Sequence, residues 1–105
     1  MSEEIVVVQT TLPGEWNETR AGAWCYELVA NGLTACAQRS RIDSIYRWEG
    51  AVESAPEWRI QFKTDAARKD ALIDAISADH PYDVPMIIAF TAETSPDFAA
   101  WVSEE

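Results

Sequence analysis

The sequence predicts an α+β domain built in the order βαββαβ, with a four-stranded antiparallel sheet and a short C-terminal helix. Three observations carry that expectation: β-branched or alternating runs stand at four places, stretches of helical apolar spacing separate the first run from the second and the third from the fourth, and Glu49-Gly50 lies where the middle two can fold back on each other.

Ile5 to Val8 is a short apolar run expected as a buried strand, with Gln9-Thr10-Thr11-Leu12-Pro13-Gly14 after it as a turn. From about Asn17 to Asn31, Ala21, Trp24, Cys25, Leu28 and Val29 recur at i, i+3, i+4, i+7, i+8, the stripe of an amphipathic helix that Gly32 should stop. Thr34 to Trp48 grows rich in β-formers towards its end, and the turn at Glu49-Gly50 makes a hairpin with Val52 and beyond. On the return arm Trp58, Ile60 and Phe62 point one way and Glu57, Arg59, Gln61 and Lys63 the other, so one face of the sheet lies in the core.

Thr64-Asp65 offers an N-cap for a second helix carrying Leu72, Ile73 and Ile76, which Pro81 ends. Pro85 to Phe90 is expected as the last strand, and Pro96 to Val102 as a short helix docking its aromatic residues on the body or on a neighbour. Residues 1–105 are expected to form one domain, with no repeat or linker. Two helices crossing the same side of such a sheet give the split βαβ, or ferredoxin-like, topology when the crossovers are right-handed.

With 105 residues, 48% of them hydrophobic, the chain is long enough for one core. Folding should bury roughly 65% of its unfolded surface. Eighteen acidic against eight basic residues give a net charge of −10, which repels a phosphate backbone and makes nucleic acid an unsuitable partner. The start Met1-Ser2-Glu3-Glu4 has no basic and apolar leader pattern, and no run reaches bilayer length, so the expected setting is the cytoplasm, away from the membrane. Cys25 and Cys36 are then expected as free thiols, Cys25 in the core.

His80 is the only histidine, in the stiff segment His80-Pro81-Tyr82-Asp83-Val84-Pro85. It either ligates a metal or shuttles a proton, or it simply ends the second helix. Cys36 is either a soft ligand for copper or a small buried hydrophobe. Lys63, next to the second helix's start, either holds a carboxylate or phosphate with free amides there, or is solvated while Asp65 caps those amides. Tyr46, Trp48, Trp58 and Trp101 are divided between core and subunit contact. Hydrolase, P-loop, dinucleotide and zinc-protease motifs are missing, so no catalytic activity is expected.

Thr11-Leu12-Pro13, Leu33-Thr34-Ala35-Cys36, Ser44-Ile45-Tyr46-Arg47-Trp48-Glu49-Gly50, Lys63-Thr64, the segment from His80 to Pro85 and the closing Pro96 to Trp101 together resemble the CutA family of divalent-cation tolerance proteins. The resemblance implies a ferredoxin-like protomer in a homotrimer, strands joined across subunits and clefts between them. It also implies a link to copper and other divalent cations, and kinship with PII-type signalling trimers that bind small ligands in clefts. Cys36 matches the family's central cysteine, Lys63, His80 and Tyr82 match polar positions around the cleft, and Tyr46 and Trp48 match the aromatic hairpin. Met86 stands where the family usually has glutamate, Phe98 where it has tyrosine, and Gln38 where it has asparagine.

The expected function is therefore a homotrimeric response to metal ions, with Cu(II) or another divalent cation held through His80 and helped by Cys36. The alternative is a PII-like regulatory trimer that binds a small anionic ligand near Lys63 and His80.

Overall fold

A computed structural model of the protein describes residues 3–105, in the order β1 (Glu3–Pro13), α1 (Glu18–Ala30), β2 (Cys36–Trp48), β3 (Ala51–Thr64), α2 (Lys69–Ala78), β4 (Ile87–Thr94) and α3 (Pro96–Glu104). The strands form one sheet in the order β2-β3-β1-β4, every neighbouring pair antiparallel. This is the α+β ferredoxin-like arrangement with the added C-terminal helix.

Local chemistry sets the element ends. Asn17 accepts a hydrogen bond from the Arg20 amide at 2.8 Å and caps α1. At its other end Leu33 N–H reaches Leu28 O and Gly32 N–H reaches Val29 O, the paired bonds of a helix stop with Gly32 at φ 75°. The β2–β3 turn puts both Glu49 and Gly50 at positive φ, as a two-residue hairpin turn that matches the strand twist requires.

One face of the sheet carries the main core. Val6, Val8 and Leu12 of β1 and Trp58, Ile60 and Phe62 of β3 pack against Ala21, Cys25 and Leu28 of α1 and Leu72 and Ile76 of α2. Burial of each large side chain there contributes roughly 1.5–3 kcal/mol. Cys25 is core, and burial pushes its thiol up to about 11 despite the lowering influence of Arg39. On the opposite face α3 covers only the end around Ile5, Val7 and Ala35, using Ala99 and Val102.

Several boundaries differ from the sequence expectation. β1 does not stop at Val8 but runs to Pro13, because Thr10 and Leu12 continue the buried side of the alternation and β3 pairs with it as far as Glu57. Asp65 does not cap α2: it caps the turn before it, accepting from the Arg68 amide at 3.1 Å, and the helix starts only at Lys69. β4 begins at Ile87 rather than Pro85 and continues past Phe90 to Thr94, since β1 offers partners down to Glu3. β2 begins at Cys36, two residues after the expected start, because Thr34 turns its hydroxyl onto the carbonyls of Cys36 and Lys63.

Beyond the Pro13–Glu57 pair, β1 ends and β2 and β3 continue alone from Asp43–Pro56 to Trp48–Ala51. Pro56 is tolerated there because β1 no longer needs its missing N–H.

Candidate functional site

Two places gather the candidate residues, one around the end of β1 and the other beside Cys36 and Lys63 on the sheet face away from α1 and α2. The first is built where the α2–β4 connection crosses the end of β1. His80 lies against Thr10 and Thr11, edge-on to Trp24 with ring centroids 6.1 Å apart, and Trp24 Nε1 donates to Asp79 O at 3.3 Å. Its Nε2 sits 2.9 Å from Thr11 O, a pure acceptor, and therefore carries the proton. The same Nε2–H faces Thr10 Oγ1 at 3.0 Å, whose own hydroxyl donates to Met86 O at 2.7 Å. Nδ1 accepts from Tyr82 N–H at 3.1 Å.

Both nitrogens of a neutral imidazole are thus engaged. Burial holds the His80 pKa below its ordinary value, although the Thr11 bond and the Glu57 charge pull the other way.

His80 hands the geometry on to Tyr82, whose ring lies 5.2 Å from it centroid to centroid. Tyr82 Oη donates to Glu57 Oε2 at 2.7 Å, and Ser44 Oγ donates to Glu57 Oε1 at 2.6 Å, so each carboxylate oxygen is held by a different element. Burial raises the Tyr82 pKa well above that of a free phenol, with the Glu57 hydrogen bond next in importance and Glu57, Tyr46 and Glu15 adding to it by charge. Glu57, Tyr82, Tyr46 and Glu15 line an open cavity of about 330 Å³ together with Pro13, Gly14, Ala55 and Pro56. Gly14 is required there: a Cβ on it would lie 2.1 Å from Pro56 O.

The second place is the face that α3 leaves open. Cys36 pairs with Lys63 across β2 and β3, and Lys63 pairs with Val7. Lys63 Nζ donates to Gln38 Oε1 and, at 3.5 Å, to Gln61 Oε1, while Gln61 Nε2 donates to Gln9 Oε1 at 2.9 Å. Beside this polar row the edge strand shows Ile88 and Phe90.

His80, Tyr82 and Tyr46 are therefore brought to one site, Cys36 and Lys63 to another, and Trp48 to the hairpin tip. His80 and Cys36 do not meet within one chain, and among the described residues no three His, Cys, Asp or Glu side chains gather as metal ligands. Lys63 faces away from α2, so the expected pairing of its amine with that helix's amides is not built. Of the four aromatics, Trp58 is core, its Nε1 donating to Trp16 O at 2.9 Å, while Tyr46, Trp48 and Trp101 are exposed. The sequence pattern does not single out Glu57, Ser44 or Glu15: alternation marks Glu57 as outward-facing, but only the strand register shows which hydroxyls reach it.

The family model described as CutA1 divalent ion tolerance protein matches residues 6–105. The divalent-cation tolerance protein CutA of Thermococcus kodakarensis is 31% identical over 101 residues, covering 95% of this chain and 94% of that one. Among solved structures, CutA from Synechococcus elongatus superposes with a TM-score of 0.86 at 30% identity, over 94% of this chain and 87% of that one. A PII-like protein CutA from Nostoc shares the fold, with a TM-score of 0.85 at 22% identity over 94% of each chain. No helix among the described residues is long and apolar enough to cross a membrane. Motifs, topology and relatives agree: the chain belongs to the CutA1 divalent ion tolerance protein family.

Proposed function

We propose that the chain is the protomer of a homotrimer that serves the response to divalent cations in the cytoplasm, by binding rather than by catalysis. The observation that carries this reading is the lone β2–β3 ribbon, on which Ile45, Trp48 and Val52 are 76%, 58% and 67% exposed. A two-stranded ribbon is barely stable in water by itself, and an apolar patch of this kind marks a contact surface. Copies packing their ribbons and open sheet faces together would cover these residues along with Ile88 and Phe90. Light scattering tests it: a mass of about 35 kDa is expected for three chains, and a species of about 12 kDa would overturn the reading.

Within one protomer the donors do not fit a copper site, because His80 has no free lone pair and Cys36 stands on the other face. Cu(II) would need donors from more than one copy. Cys36 is then the available thiolate, and His80 joins only by giving up a bond to Thr11 or Tyr82. Calorimetric titration with Cu(II) of the wild type, Cys36→Ser and His80→Ala tests this; equal, negligible heats in all three would remove copper from the function. The two free thiols suit a reducing compartment. Cell fractionation checks that placement.

The PII-like alternative, a small anion in a subunit cleft, draws on Lys63, a cation on the open face. His80 cannot share that ligand within the same chain. A thermal-shift screen of nucleotides and carboxylates on wild type and Lys63→Ala tests it, and no stabilising hit counts against it.

A further inference from the structure

We propose that the cavity between the Pro13–Glu15 turn and the hairpin binds an organic ammonium ion, its charge at Glu57 and its alkyl part against the rings of Tyr46 and Tyr82. Every residue lining the cavity belongs to one protomer, and because Tyr46, Ala55 and Glu57 lie on the ribbon and sheet face that a trimer would pack together, the proposal requires the cavity mouth to stay open in the assembly.

Four features converge on this ligand class. At about 330 Å³ the space suits a small molecule rather than a bare ion. Glu57 is fixed in place, since Ser44 and Tyr82 each donate to a different oxygen, and each oxygen keeps a lone pair for a further donor. An ammonium group brings three donors and no acceptor, which is the complement such a carboxylate lacks. Aromatic faces beside the carboxylate attract a cation further, as tyrosines do in sites for alkylated ammonium groups.

The lining also excludes the competing classes. An anion would meet Glu57 and Glu15 with no lysine or arginine among the residues that line the space. A bare divalent metal would find two carboxylates and no third His, Cys, Asp or Glu among the described residues. A neutral alcohol would leave the Glu57 charge uncompensated. The prolines and Tyr46 give the alkyl chain an apolar wall, and the chain's net charge of −10 draws cations towards it.

The test is calorimetry with n-butylammonium chloride, checked by saturation-transfer NMR, on wild type, Glu57→Gln and Tyr46→Leu, with n-butanol and potassium chloride as controls. Saturable binding is expected, about tenfold weaker in Glu57→Gln and about threefold weaker in Tyr46→Leu, with no binding of n-butanol. Tyr46 is 43% exposed, so its replacement leaves the fold intact and keeps the test decisive if Glu57→Gln unfolds. Absence of saturable binding to the wild type, equal affinity in wild type and Tyr46→Leu, or displacement by potassium at matched ionic strength would overturn the proposal.

Discussion

Tyr82 donates its phenolic proton to Glu57 across 2.7 Å, tying the connection that follows α2 to the middle of β3, 25 residues away in sequence. Because Ser44 holds the other oxygen, the carboxylate ties the connection that carries Tyr82 to the paired strands β2 and β3.

Replacing Tyr82 by Phe keeps the ring beside His80 and removes only the hydroxyl. A half-buried hydrogen bond to a charged group is lost, and stability should fall by about 1 kcal/mol. Urea denaturation measures it, and Glu57→Gln combined with Tyr82→Phe should cost less than the two separate losses added together, because the two groups share one bond.

Gly14→Ala should be more damaging than its small size suggests. The new methyl would meet Pro56 O at 2.1 Å, with backbone on both sides and no flexible side chain to yield. The Pro13–Trp16 turn must move off the hairpin, which also strains the bond from Arg41 Nη1 to Gly14 O at 2.6 Å. A loss of about 1–3 kcal/mol by thermal melting is expected.

Arg68 holds the C-terminal helix to the body. Its guanidinium donates to Val102 O at 2.5 Å and to Gly32 O at 3.2 Å, and it pairs with Asp65 at 3.2 Å. Arg68→Met keeps the packing stem and removes the donors, so α3 amides should exchange with solvent markedly faster while those of β1 and β3 change little. Arg68→Lys should rescue only part, since an ammonium cannot span three acceptors in the fixed plane of the guanidinium.

Much of this was readable in the residues, and the rest was hidden for definable reasons. The α1 stripe, Gly32 and Glu49-Gly50 fix their elements by local chemistry, so they were legible. Thr10 to Pro13 looked like a turn because threonine, proline and glycine favour turns, but pairing with β3 overrides that preference. Asp65 looked like a helix cap because no sequence signal separates capping a turn from capping a helix one turn later. At the site, His80 and Tyr82 were found through the rigid Pro-bounded segment. Glu57 and Ser44 depend on the register of two strands more than ten residues long, and a shift of one residue would turn both away. Ligand chemistry alone pairs Cys36 with His80, but topology puts a sheet between them.

The acid side of the stability profile should carry the mark of His80. Its folded pKa lies below the unfolded value of 6.5, chiefly because the ring is buried, and the neutral form is the one that both donates to Thr11 and accepts from Tyr82. The unfolded chain therefore binds the proton more readily than the folded one. Stability from this group is fully present above about pH 6.5 and declines as the pH falls below it towards the folded pKa. Protonation puts a hydrogen on Nδ1 facing the Tyr82 amide, so both become donors and the connection must shift, loosening the Tyr82 hold on Glu57. Carboxylates dominate below about pH 5, so the window to measure is pH 7 to 5.5. Urea midpoints of the wild type should fall across that window, whereas those of His80→Gln, which has no group titrating there, should start lower and stay flat. Parallel slopes in the two proteins would show that the acid sensitivity comes from elsewhere.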